Sequence, residues 1–305
     1  MSEIDIILKI YRGLISLKKH NGIPIRLRPA SVVGTVQDDP FDCWVEKIIS
    51  KVISKDLEVF HSGTLTTPDL VIRDKKSGLI IGIEVKKLIQ KSNGKDPRGM
   101  TIDYNSCLPC GKAFVKVGEE TRIVPCFYLF ALLNPQSTKI VSLILLDGDF
   151  LNYDFELYKE AKYANTSEYN HGPYGEGSVR HRRMYTYPNP LNSKIPEFFL
   201  RMILILKKQD VEKLSFVTNI TEQIVRTDKY GNSFFYFLLD EAFPLSNSKN
   251  EIRTLKGIFD SCKLREIRER VAYIPVIPAK KNVYNKTRRK ITIYISKLVL
   301  RGRRP

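Results

Sequence analysis

The chain is poor in the residues that anchor several common chemistries: 305 positions hold 5 Cys, 4 His and 1 Trp. An odd, scattered set of cysteines argues against a disulfide framework and points to a reducing, cytoplasmic setting. The four His form no evident catalytic pair. Ser and Cys nucleophile signatures, phosphate-binding Gly loops and dinucleotide fingerprints are missing. The longest apolar run, Val124 to Leu133, is about half of what a membrane-spanning helix requires. The first residues, Met1-Ser2-Glu3-Ile4-Asp5, are acidic where an export signal is basic. No internal repeat, low-complexity tract or clear linker is visible. A soluble protein with no membrane partner is the expectation.

Acids are also scarce relative to bases. Lys and Arg number 50 against 33 Asp and Glu, a net charge of +17, on an otherwise ordinary globular composition of 43% hydrophobic residues. Such an excess concerns partners more than fold, and its default partner is a polyanion, usually nucleic acid. From Val271 to Pro305 there is no acid at all, while ten Lys and Arg fall there, among them Arg288 and Arg289. Within that segment Lys290-Ile291-Thr292-Ile293-Tyr294-Ile295 alternates with strand period and predicts a strand.

Apolar spacing predicts an amphipathic helix over the first ~20 residues, capped by Ser2 and ended by Asn21-Gly22. A second helix opens after Asp38-Asp39-Pro40, with Phe41, Trp44, Val45, Ile48, Ile49, Val52 and Ile53 recurring at helical spacing. Extended runs follow at 57–60, 69–73, 79–86, 127–133 and 140–146, the last two apolar enough to be buried on both faces. Pro196 to Lys207 reads as a further helix with Pro near its first turn.

The chemistry concentrates between Pro68 and Lys86. Two strands flank the polar turn Lys75-Lys76-Ser77-Gly78, which predicts a β-hairpin. If the turn holds those four residues, Asp74 faces Leu79, and counting outward sets Asp69 opposite Glu84. Opposed side chains on one face come within about 5 Å. Strand period also puts Glu84 and Lys86 on one face, with Ile83 and Val85 on the other. Two carboxylates without thiols form a hard oxygen site suited to Mg²⁺, which keeps waters and accepts phosphate oxygens. Such a site can orient and acidify a water, and the neighbouring Lys86 can stabilise charge on a phosphorus under attack.

Pro68-Asp69, fourteen residues, then Glu84-Val85-Lys86 is similar to the active-site motif of the PD-(D/E)XK nuclease superfamily, best known from type II restriction endonucleases. The element order also resembles that family's core: a helix, three strands carrying the motif, a helix, a further strand. The resemblance implies an α/β fold, a restriction-endonuclease-like three-layer α/β/α core with a central mixed β-sheet, plus an inserted DNA-recognition region. It implies Asp69 and Glu84 as Mg²⁺ ligands, joined by the Val85 carbonyl, with Lys86 serving the water. Glu46, on the helix before the hairpin, is the candidate for a further acid; a solvated helix-edge role is its alternative. The motif covers about 20 residues and the core about 110. The remainder resembles no known family.

The chain accordingly divides into 1–38 (N-terminal helix and lead-in), 39–148 (nuclease core) and 149–305 (recognition, dimerisation and basic C-terminal region), packed as one domain. Cys107 and Cys110 invite a zinc reading, but the other cysteines are scattered singly and the nearest His is His61. Residues 101–112 read better as a polar loop after the catalytic strand, offering Asn105, Ser106 and Lys112 to DNA. The Tyr-, Asn- and Gly-rich stretch around Arg180, Arg182 and Arg183 is the candidate for base readout, with Arg288 and Arg289 as further DNA contacts; phosphate contact alone is the alternative. The expected function is Mg²⁺-dependent double-strand cleavage of DNA at a short, palindromic site by a homodimer. Two other readings stand beside it. A structure-specific repair or recombination nuclease would cut only branched substrates, and a non-catalytic nucleic-acid-binding protein would cut nothing.

Overall fold

The computed structural model describes residues 2–30, 32–33, 36–37, 39–61, 67–93, 101–104, 108–167, 184–193, 198–212, 220–227, 233–240, 252–254 and 268–270. Helix α1 (Glu3–Ser16) begins at a capping box: the Ser2 hydroxyl accepts from the Asp5 N–H, and the Asp5 carboxylate accepts from the Ser2 N–H. Helix α2 (Pro40–Lys47) is capped by Asp39 and continues as a π-helical stretch, Ile48–Ile53. Both helices thus start as their sequences predict.

Three strands follow, β1 (Leu57–His61), β2 (Leu70–Asp74) and β3 (Ile80–Ile89). Next come β4 (Thr101–Tyr104), β5 (Lys112–Val117), β6 (Glu120–Leu133) and β7 (Lys139–Asp147), then helix α3 (Phe155–Ser167). The chain continues through β8 (Met184–Pro188), β9 (Met202–Lys207), β10 (Ile220–Thr227), β11 (Ser233–Leu239), β12 (Ile252–Thr254) and β13 (Arg268–Arg270). The central sheet runs in the order β12-β10-β11-β9-β7-β6-β3-β2-β1 and is open, mixed and mostly antiparallel. Its parallel pairs are β3 with β6, β7 with β9 and β10 with β12. A small sheet joins β13, β8 and β4. The fold is therefore α/β, with few helices.

Side-chain parity divides the core. Ile83, Val85, Leu129, Leu145 and Leu204 face α1 and α2. Tyr128, Phe130, Leu146, Ile203 and Ile205 face Tyr158 and Ala161 of α3 together with Phe150. Burial on both faces explains why 124–133 of β6, 140–146 of β7 and 202–206 of β9 are almost continuously apolar. The Tyr11 hydroxyl fixes α1 to the sheet, donating to the carbonyls of Met202 (2.9 Å) and Leu239 (3.2 Å). The sheet continues across the 148/149 boundary, since β7 pairs with β9.

Two elements differ from the sequence reading. The run expected as a helix over 196–207 is a strand from Met202 onward, because Met202–Leu206 is apolar all round and sits mid-sheet, buried on both sides. A short apolar run carries no period that separates a buried strand from a buried helix. The crossover between parallel strands β3 and β6 was expected to contain a helix. Among the described residues it instead contains strands β4 and β5, so 101–112 is not simply a polar loop. The predicted strand at 290–295 lies outside the described residues.

Candidate active site

The hairpin that carries the motif forms in the predicted register. Leu70 pairs with Ile83 and Arg73 with Ile80, and the Asp74 N–H donates to the Leu79 carbonyl at 2.9 Å, so the same count sets Asp69 across from Glu84. The turn is built by its own residues. Asp74 Oδ2 accepts from the Ser77 N–H (2.7 Å) and hydroxyl (2.6 Å), and Gly78 takes the left-handed φ of +72° that closes it. Asp74 is buried, yet the Ser77 hydrogen bonds hold its carboxyl below the ordinary value.

Gly82 has a different task. The Pro68 ring lies so close over it that a Cβ at residue 82 would stand 2.6 Å from Pro68 Cγ. A side chain there would push Pro68, and with it the adjoining Asp69, off the strand. The Thr67–Pro68 peptide is cis.

Asp69 Oδ2 accepts the Val85 N–H at 2.7 Å, which ties the first carboxylate to the strand that carries the second. Glu84 is 3% exposed; its Oε1 accepts from Lys86 Nζ at 2.5 Å, while its Oε2 is buried with no hydrogen-bond partner among the described residues. Burial pushes the Asp69 carboxyl well above its ordinary value, and the charge of Glu84 adds to the rise. Burial of Lys86 opposes its charge, but Glu84 and Asp69 outweigh it and hold the ammonium above its ordinary value. Two carboxylates and one ammonium thus share a poorly solvated place with an excess of negative charge.

A third acid joins them. Asp39 caps α2 by accepting the Phe41 N–H at 2.8 Å, and both its oxygens accept from Lys87 Nζ at 2.6 and 2.8 Å. Lys87 points to the sheet face opposite Lys86 and so fastens the N-terminus of α2 to β3. This brings Asp42, in the first turn, into the field of the site. Burial, then the charge of Asp39, push its carboxyl up to about 7, with Lys86 and Glu84 also acting on it. Glu46 Oε2 meets His61 Nε2 at 2.8 Å, with both side chains about 40% exposed. The acid on α2 that couples to the hairpin is Asp42. Its signal in the sequence is its place four residues before Glu46, on the same helical face.

The donor set suits a hard divalent cation. No group of three or more His, Cys, Asp or Glu converges on one point among the described residues. Mg²⁺, however, is commonly held by one or two carboxylates, with waters and substrate phosphates completing its shell. The unpartnered Glu84 oxygen and the raised Asp69 mark a charge deficit that such an ion would offset. Cys110 and Cys126 are buried free cysteines, and burial pushes the Cys110 thiol up to about 12.

A second acidic group, Asp147 and Asp149 with Lys207, is internally satisfied. Asp149 accepts from the Gly111 N–H at 2.9 Å and pairs with Lys207, and Asp147 accepts from the Asp149 N–H at 2.8 Å. It links the start of β5 to the ends of β7 and β9. Lys112 begins β5, its ammonium 5.5 Å from the Phe155 ring centroid. Asn105, Ser106, Arg180, Arg182, Arg183, Arg288 and Arg289 lie outside the described residues, as does Cys107. No described helix is long and apolar enough to cross a membrane. No protein-family model, curated protein or solved structure matches the chain.

Proposed function

We propose that this chain is a Mg²⁺-dependent DNA endonuclease with a restriction-endonuclease-like core, acting as a homodimer that cuts both strands at a short site. The observation that carries the reading is the hairpin register that sets Asp69 across from Glu84, with Lys86 bonded to Glu84 and one Glu84 oxygen without a hydrogen-bond partner among the described residues. Asp69, Glu84 and the Val85 carbonyl would hold the ion. When bound, Mg²⁺ supplies a water of lowered pKa and positive charge opposite the phosphodiester.

The chain's own residues do the remaining work. The Val85 N–H fixes the Asp69 carboxylate, leaving its other oxygen for the ion. The Lys86 ammonium, kept charged by its acidic neighbours, would stabilise the negative charge that grows on the phosphoryl group, and in a poorly solvated site that charge counts for more than in water. As the family resemblance implies, water would attack phosphorus in line with the 3′ oxygen as leaving group, the P–O3′ bond breaking to leave 5′-phosphate and 3′-hydroxyl ends. The net charge of +17 draws the polyanion, while the clustered acids keep the phosphates from settling on the site without a divalent ion.

Digestion of a sequenced plasmid with Mg²⁺ tests this. Discrete fragments, lost in Asp69→Ala and in Lys86→Ala while DNA binding persists, are the expected result. Undiminished cutting by both variants would remove these residues from the mechanism.

A further inference from the structure

The sheet face that carries Asp69 and Glu84 continues away from them through two further cross-strand pairs, Val71 with Gly82 and Arg73 with Ile80. The β5–β6 hairpin folds over this face: Val115 and Val124 pack on Val71, joined by Ile80 and Val117. Between the two hairpins lies a cleft of about 520 Å³, reached also by Thr67, Phe60 and Lys162. Thr67 is two residues from Asp69, so the cleft opens beside the candidate site. We infer that this cleft seats one unstacked nucleotide of the strand being cut, next to the scissile phosphate. The inference rests on the nuclease reading and adds to it where the neighbouring nucleotide goes.

Size, wall chemistry and charge agree on that occupant. The volume falls in the roughly 300–1,000 Å³ span of small-ligand pockets, so it admits a nucleotide and is far too small for a duplex. The walls are apolar, from Val71, Ile80, Val115 and Val117, as a base face requires. Phe60 stands in the lining as a large ring that is 47% exposed. The Arg73 guanidinium carbon lies 5.5 Å from that ring's centroid, held there by Glu58, which accepts its Nε–H at 2.9 Å. A base entering the cleft would therefore meet an aromatic ring together with a positioned cation. Lys116 is exposed at the lining, and the Lys162 ammonium stands 5.5 Å from the Phe114 ring centroid, so phosphates on either side of the base find positive charge. An aromatic platform flanked by cations is the general means of holding single-stranded nucleic acid.

The test is fluorescence anisotropy with the full chain in EDTA, using labelled single-stranded dT12 and a 20-base-pair duplex. Phe60→Ala should weaken dT12 binding by about 5- to 150-fold, the loss of one base–aromatic stack, and leave the non-specific duplex within about twofold. Val117→Trp, which fills the cleft from the hairpin tip instead of trimming it, should give the same selective loss. Lys116→Ala should lower the slope of log K against log salt on dT12 by about 0.7, one phosphate contact. Unchanged dT12 affinity in both Phe60→Ala and Val117→Trp overturns the inference, as does an equal loss on single strand and duplex. Those outcomes leave the nuclease reading intact. That reading falls separately if the wild-type chain fails to cut plasmid with Mg²⁺.

Discussion

The crowding of carboxylates makes a prediction about folding that does not depend on the nuclease reading. Asp42 has a carboxyl raised from 3.8 to about 7. In that window the folded state holds a proton that the unfolded chain has released, so stability falls as pH rises through it and levels off above the folded value. One pKa unit corresponds to about 1.4 kcal/mol. Between about pH 5.5 and 8.5 the Asp42 contribution alone should fall by roughly 2 kcal/mol, since only the part of the window above 5.5 is crossed. Asp69 and Asp147, both raised, add declines in the same direction. The perturbation is Asp42→Asn, which keeps the shape and removes the titration. Urea unfolding in EDTA at several pH values should show the wild type losing stability toward alkaline pH. The variant's curve should be flatter by about 2 kcal/mol across that range. A wild-type curve that rises with pH, or a variant curve parallel to it, would refute the account of the site as an uncompensated cluster of acids.

Divalent ions should reverse that decline. At pH 8.5, Mg²⁺ at ten times its dissociation constant should stabilise the wild type by about 1.4 kcal/mol, read as a rise in unfolding temperature. Asp69→Asn and Glu84→Gln should each lose that response. Gly82→Ala should lower cleavage by up to about 100-fold with DNA binding kept, because a Cβ there displaces Pro68 and misplaces Asp69 by a sizeable fraction of an ångström. Lys87→Met should also slow cleavage, by unfastening Asp39 and the start of α2, whereas Glu46→Gln should cost less than Asp42→Asn; kcat from plasmid nicking measures both.

The hairpin was legible because every contact that defines it is local. A four-residue turn with Asp74 before it and Gly78 at its end fixes the register, and the register alone sets Asp69 across from Glu84. The caps of α1 and α2 were legible for the same reason, since Ser2 and Asp39 bond groups two or three residues away. Met202–Lys207 was not, because its identity as a strand comes from β7 and β11 on either side, both distant in sequence. Asp42 was likewise hidden. Its neighbours Lys86 and Glu84 lie more than forty residues away, and what delivers it is the Asp39–Lys87 pair, two residues unremarkable in isolation.

The cleft shows the same division in a single feature. Val71, Arg73 and Ile80 share a face with Asp69 by strand period, so half of its wall could be counted from the sequence. The other half comes from Phe114 to Val117, in a segment whose polar start at 101–112 reads as a loop. Only pairing of β5 with β6 turns that segment into a hairpin that covers the sheet, and β6 reaches the sheet by lying parallel to β3. The strand that carries Glu84 and Lys86 therefore also holds the roof over the neighbouring cleft. A change that loosens the β3–β6 pairing should weaken single-strand binding and metal binding together, whereas Phe60→Ala should weaken only the first.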